Sequence, residues 1–198
     1  MKFSRQEIQD LMIAWVLISV AVAIALHQPQ LSFFSLVLIS AITVGVAFII
    51  HELAHKYVAT LYGKFAEFRA NIALLVLSLA IAFSGVLFAA PGAVHISGFV
   101  NSRENALIAA AGPVANIVLA LILLPLFYLL PASELFLIII GFSIIINSWL
   151  ALFNLIPFWE FDGAKIIMWN KPFYAMLVLL SVVLVFISTT GILANTGL

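Results

Sequence analysis

The residues best suited to chemistry are two histidines and a glutamate in the stretch His51-Glu52-Leu53-Ala54-His55. Side chains four residues apart lie one above the other on a helix, so His51 and His55 would present two imidazoles on one face. This spacing suits two ligands of a tetrahedral zinc site. Glu52 lies about 100° around the helix from His51, where it could act as a base on a water held by the metal.

The setting of these residues strengthens a functional interpretation. Chance matches to a five-residue pattern are common, and in a soluble helix chance would compete evenly with function. Here the pattern lies inside a long apolar run, Phe48-Ile49-Ile50 on one side and Leu53-Ala54 within it. Ionisable side chains in an apolar membrane helix cost free energy, which favours a functional role.

The composition is that of an integral membrane protein. Of 198 residues, 66% are hydrophobic and only 8% are charged, which indicates a bundle of membrane-spanning helices in contact with the lipid bilayer. The formal net charge is zero, so we expect no nucleic-acid partner. Cysteine is absent, which excludes disulfides and thiolate zinc ligands.

The elements that must position the histidines are predicted from the apolar runs. We expect an all-α polytopic membrane protein with about six transmembrane helices, forming a single transmembrane domain over 1–198. Its core, which carries the histidine pair, would cover about 31–165, with flanking helices at 8–26 and 173–192. The other predicted helices are 31–62, 101–130 and 135–155, and 72–90 is an apolar run of spanning length. Asn101 and Glu104 form a capping box at one helix start, and Gly112-Pro113 is expected to interrupt that helix.

The segment around 71–103 is predicted to re-enter or return instead of crossing. If it returns, all eight Lys and Arg residues lie on one side, as the positive-inside rule requires of the cytoplasmic face. Residues 91–100 are rich in Gly and β-branched residues and would form a short extended segment. Non-helical backbone at such depth must be buried in protein or line water.

A catalytic zinc needs a third protein ligand. Asp162 is the preferred candidate, because it lies just past a span that ends on the same side as the histidine pair. Glu160 is the second choice and His95, interpreted as a loop residue bonded to backbone, is the third. The remaining candidates are expected elsewhere. Glu7 and Asp10 lie in a polar lead at residues 1–10, Glu67 lies among basic residues, and Glu104 caps a helix. Glu134 and His27 are expected on the outer side of the membrane.

Three asparagines also lie in apolar helices, where an unpaired amide is costly. Hydrogen bonding between helices is the ordinary explanation, and Asn116 is interpreted in this way. Asn154, eight residues before Asp162, could instead donate to a developing oxyanion or to substrate backbone.

These motifs together resemble the site-2 protease family of intramembrane zinc metalloproteases. The resemblance covers about residues 45–165 and rests on three motifs in the family's order: His51-Glu52-Leu53-Ala54-His55, Gly112-Pro113-Val114-Ala115-Asn116, and Asn154-Leu155-Ile156-Pro157 leading to Asp162-Gly163. It implies that His51, His55 and Asp162 bind zinc, that Glu52 is the general acid and base, and that Asn154 assists the substrate carbonyl. Many members have Pro where this chain has Glu160, and no PDZ or CBS domain is expected.

The resemblance implies an intramembrane zinc endopeptidase that cleaves transmembrane segments of other membrane proteins, with one zinc per chain. We expect a multi-pass protein of the plasma membrane with its active site nearer the cytoplasmic side. Two alternatives are a membrane metal-ion transporter or sensor, and an inactive homologue that binds helices. The apolar outer halves of the helices disfavour a transporter, and Glu52 disfavours a pure binder. Nothing in the sequence indicates the oligomeric state.

Overall fold

The computed structural model describes residues 1–26, 31–86, 92–131, 133–158 and 160–192. His27, predicted to lie in an outer turn, falls outside this part of the chain. The described residues are mostly helical. In order, the elements are α1 (Arg5–Ala25), α2 (Phe33–Ser40), α3 (Val46–Leu61), β1 (Phe65–Ala70), α4 (Ile72–Ala82), β2 (Gly92–Ser97), α5 (Ser102–Leu129), α6 (Glu134–Asn154), α7 (Asp162–Trp169) and α8 (Lys171–Ile187).

Five helices in the described residues are long and apolar enough to span a membrane, which confirms an all-α polytopic membrane protein. They are Arg5–Ala25, Phe33–Leu61, Ser102–Leu129, Glu134–Asn154 and Lys171–Ile192. The apolar run at 72–90 does not form a span in its described part, in agreement with a segment that re-enters or returns. The helix α4 has only 11 residues, whereas about 20 are needed to cross the hydrocarbon core.

The segment after α3 returns to its starting side, as predicted. Strands β1 and β2 pair antiparallel, with Phe65 opposite Ser97 and Ala70 opposite Gly92. The chain that leaves the hairpin at Ala70 therefore comes back to the same place before α5 begins. Gly92 has φ +147°, and a Cβ at this position would overlap the backbone of Arg69, so the close approach of the two strands requires glycine.

A π-helical segment at Ala41–Gly45 joins α2 to α3, and α1 fixes it. In a π-helix the backbone hydrogen bonds join residues five apart instead of four. The indole Nε1 of Trp15 donates to the carbonyl of Ala41 in this segment at 2.9 Å. A Cβ on Gly45 would overlap that indole ring. Trp15 thus packs directly against the helix that carries the histidine pair.

Residues 1–10, predicted as a polar lead before the first span, differ from that prediction, because α1 already begins at Arg5 and its first acidic residues are buried. Glu7 is fully buried, forms an ion pair with Lys56 and accepts the backbone N–H of Phe68 at 3.1 Å. Asp10 accepts the N–H of Ala70 at 3.3 Å. Burial of a carboxylate requires such partners, so these contacts join α1 to α3 and to β1.

Helix α5 runs without a break from Ser102 to Leu129, through Pro113 and Pro125. The predicted capping box between Asn101 and Glu104 is confirmed. The predicted interruption at Gly112-Pro113 is wrong, because neighbouring helices can support a helix that has lost one backbone hydrogen bond. Apolar side chains of α5, α6 and α8 form the largest buried cluster, which places α5 in the centre of the fold.

Candidate metal centre

Three potential ligands meet where α3, α5 and α7 approach one another. His51 and His55 lie one turn apart on α3, with ring centroids 4.6 Å apart. Asp162 is the first residue of α7, and its Oδ2 lies 3.4 Å from His51 Nε2 and 3.2 Å from His55 Nε2. All three residues are buried, and their ligand atoms lie within 4.8 Å of one another.

This donor set fits zinc. Two imidazole nitrogens and one carboxylate oxygen are a catalytic set, which leaves a fourth position for water or substrate. Tetrahedral bonds of 2.0–2.1 Å would separate neighbouring ligand atoms by about 3.3 Å. The two observed separations from Asp162 Oδ2, 3.4 and 3.2 Å, are close to that value.

Gly112 leaves the space between the ligands open. A Cβ at Gly112 would overlap the Nε2 atoms of both His51 and His55. Because α5 passes directly over the imidazoles, any side chain at this position would enter the space between the ligand atoms. The glycine is therefore required by the site and not by the helix, in which glycine costs about 1 kcal/mol relative to alanine.

The other ring nitrogens of both histidines have buried partners. His55 Nδ1 donates to the backbone carbonyl of Ile108 at 2.8 Å, and His51 Nδ1 lies 2.6 Å from Asn116 Oδ1. Partners of this kind fix ring orientation and raise ligand basicity in metal sites. Both rings are held by α5, which leaves each Nε2 directed towards Asp162.

Asp162 is held in place by backbone contacts and by charge. A Cβ on the next residue, Gly163, would overlap the carbonyl group of Leu155, so α7 begins tightly against the end of α6. Burial by itself raises the pKa of Asp162, but in the metal-free protein the charge of the protonated imidazoles and hydrogen bonds from their Nε2 atoms lower it more, and the net pKa is well below the ordinary value. Lys165 Nζ lies 3.8 Å from Asp162 Oδ1, the oxygen that does not face the histidines.

A cavity of about 560 Å³ opens beside the three ligands, a size that suits a binding site. Glu52 is buried and lines it together with the ligands. Asn154 also lines the cavity, with one amide N–H donated to the Leu150 carbonyl at 2.9 Å and a second N–H in its inventory. His95, on β2 and not in a loop, and Glu160 line the same cavity, but neither belongs to the metal-ligand cluster among the described residues.

Several residues that shape the site were missed in the sequence. Asn116 was assigned to helix contacts alone, although it also contacts His51. Gly112 was interpreted as a helix interruption, and Lys165 was used only for membrane orientation. Gly112 could have been noticed in the sequence, because a glycine inside a helix lowers helix stability and usually has a packing or functional reason.

The fold and the site define a multi-pass membrane protein with a buried His-His-Asp metal-ligand cluster. Among known proteins, this chain is 41% identical over 180 residues to a protein of Methanocaldococcus jannaschii that is named "Putative zinc metalloprotease", covering 88% of this chain and 90% of the relative. The chain therefore belongs to the same zinc metalloprotease family, in agreement with a minimal protein of the site-2 protease type. No protein-family model and no solved structure matches it.

Proposed function

We propose that this protein is an intramembrane zinc endopeptidase that hydrolyses peptide bonds within transmembrane segments of other proteins. The observation that carries the proposal is the placement of His51, Glu52 and His55 on a spanning helix, Phe33–Leu61, beside a cavity that Asp162 completes. Ionisable residues at such a position are functional by default. The kinship with a zinc metalloprotease supports hydrolysis as the function.

In this proposal His51, His55 and Asp162 hold one zinc ion per chain. Zinc, when bound, supplies Lewis acidity, which acidifies a bound water and polarises a carbonyl group. Glu52 takes the proton from the attacking water, whose oxygen bonds to the peptide carbon. Glu52 then delivers that proton to the leaving nitrogen as the C–N bond breaks.

The polar residues around the cavity have supporting roles. Asn154 offers its remaining N–H to the carbonyl oxygen of the scissile peptide as negative charge develops there. A substrate helix must unwind locally to present this carbonyl, because helical carbonyls are already hydrogen-bonded. The apolar residues on the cavity wall, such as Phe48 and Leu150, suit the side chains of a transmembrane segment.

We further propose that the site opens towards the cytoplasmic face of the plasma membrane. Ion pairs bring the basic helix ends together: Lys56 contacts Glu7 at the start of α1, and Lys64 lies 3.3 Å from Glu104 at the start of α5. With a returning hairpin and five spans, all eight Lys and Arg residues lie at this end of the bundle. A cluster of basic residues is typical of the cytoplasmic side.

The test pairs zinc content with cleavage of a membrane-embedded substrate, for the wild type and Glu52→Gln. The variant keeps the shape of the side chain but removes the base, so zinc should be retained while cleavage falls by about 10²–10⁴-fold. The same two proteins are also assayed on a soluble peptide, as a control that compares a soluble substrate with a membrane-embedded one. Cleavage by Glu52→Gln at the wild-type rate, with zinc bound, would refute the mechanism.

A further inference from the structure

A series of buried amides connects His51 to helix α6, which carries none of the three metal-ligand residues. His51 Nδ1 lies 2.6 Å from Asn116 Oδ1 on α5. Asn116 Nδ2 donates to Asn147 Oδ1 on α6 at 2.8 Å and to the backbone carbonyl of Ala47 at 3.3 Å. Asn147 Nδ2 donates in turn to the carbonyl of Ser143 at 2.8 Å.

The direction of these hydrogen bonds is determined by the two backbone carbonyls, which can only accept. Because the Ser143 carbonyl accepts a hydrogen bond from Asn147, the amide nitrogen of Asn147 must face Ser143 and its oxygen must face Asn116. Because the Ala47 carbonyl and the Asn147 oxygen both accept, the nitrogen of Asn116 must face them. The oxygen of Asn116 is therefore left facing His51.

An amide oxygen accepts and does not donate, so His51 Nδ1 must carry the proton. The other ring nitrogen, Nε2, faces Asp162 and is the atom left to bind a metal. The side chains of His51, Asn116 and Asn147 are all buried. Little water therefore competes for these hydrogen bonds, and the low local dielectric strengthens them. His55 is held in the same tautomer by a different acceptor, the Ile108 carbonyl.

We propose that Asn116 and Asn147 are positioning residues that hold His51 in the Nδ1–H tautomer, with Nε2 ready to bind the metal. Asn147 acts through Asn116 and touches no ligand atom of the site. The inference rests on the proposed function, because it takes His51 as a metal ligand. Partners of this kind are worth about 10–100-fold in metal affinity.

The first measurement requires no metal. Selective ¹⁵N labelling of histidine gives a spectrum of only four residues, in which the nitrogen shifts distinguish the two neutral tautomers. The spectrum of His51→Gln identifies the His51 signals. In the metal-free wild type His51 and His55 should both carry a proton on Nδ1, and the neutral rings should do so as well in Asp162→Leu, which removes the acceptor that faces Nε2.

The variants test which residue sets the tautomer. Asn116→Leu has nearly the same shape but no acceptor, so His51 should lose its Nδ1–H preference while His55 in the same molecule keeps its own. Asn116→Asp restores an acceptor and should restore the tautomer. Zinc affinity, measured by chelator competition, should fall about 10–100-fold in Asn116→Leu and by less than about 10-fold in Asn147→Leu.

Ser148→Ala is the matched control for loss of a buried polar group, because Ser148 is a neighbour of Asn147 that donates only within α6, to the Ile144 carbonyl. It should change neither the His51 tautomer nor zinc affinity. An Nε2–H tautomer of His51 in the wild type overturns the inference. So does a loss of zinc affinity in Asn116→Leu without a change of tautomer, or unchanged values of both.

Two outcomes need to be kept apart. If the wild type binds no zinc but His51 shows the expected tautomer, the proposed function fails and the amide chain is still as described. If zinc binds and the tautomer is wrong, only the role of the amides fails. Should Asn116→Leu not fold, the wild-type spectrum and Asn147→Leu decide the question.

Discussion

Substitution of Gly112 by Ala should separate metal binding from folding. A Cβ at this position would lie 2.5 Å from His51 Nε2 and 2.6 Å from His51 Cε1, and closer still to His55 Nε2. Ordinary van der Waals contact begins at 3.4 Å, so the His51 ring must move by the difference between 3.4 and 2.5 Å, about 0.9 Å. Metal sites tolerate deviations of only about 0.2 Å in ligand distance.

The two consequences differ in size. Displacement of both imidazoles should lower zinc affinity by about 100-fold or more, since the loss of one outer partner alone costs about 10–100-fold. The stability of the metal-free protein should change little. A strained or lost hydrogen bond of a histidine ring costs about 1 kcal/mol, and replacing Gly by Ala in a helix interior returns about the same amount.

The assay compares zinc-free wild type with zinc-free Gly112→Ala by thermal unfolding in detergent, and then measures zinc affinity of both by chelator competition. We expect nearly equal unfolding temperatures in the absence of zinc, and a rise on addition of zinc in the wild type alone. A variant that binds zinc as tightly as the wild type would show that the ligand cluster is not the metal site.

Further predictions concern the third ligand, the topology and the ion pair under the hairpin. Asp162→Ala should lose most zinc while the matched Glu160→Ala keeps it, and the reverse result in metal analysis would reassign the ligand. Single cysteines in place of Lys64 and Arg103 should both react with an impermeant thiol reagent from the cytoplasmic side. The labelling is specific because the native chain has no cysteine. Labelling of position 103 from outside only would contradict the returning segment. Lys56→Met leaves a carboxylate of α1 buried without its cation, which should cost about 3–5 kcal/mol of unfolding free energy; an unchanged denaturation midpoint would count against a buried pair.

Some features could be predicted from the sequence because they depend on local periodicity and composition. Hydropathy is a property of contiguous residues, so all five spans and most of their limits follow from it directly. The positions of His51 and His55 one turn apart follow from helix geometry alone. The capping box at Asn101 is likewise a contact between residues three apart. The return of 71–103 was predicted from charge, because basic residues are retained on one side of a membrane.

Other features were decided only by tertiary structure, because they join residues far apart in the chain. Whether Asp162, Glu160 or His95 lies beside the histidine pair depends on how α7 packs against the end of α6, which no local pattern specifies. The short length of α4 also depends on the hairpin beside it, since its apolar run is long enough by composition to span. Gly112 and Asn116 look like a helix break and a helix contact in sequence, and only the passage of α5 over both imidazoles brings them to the centre of the site.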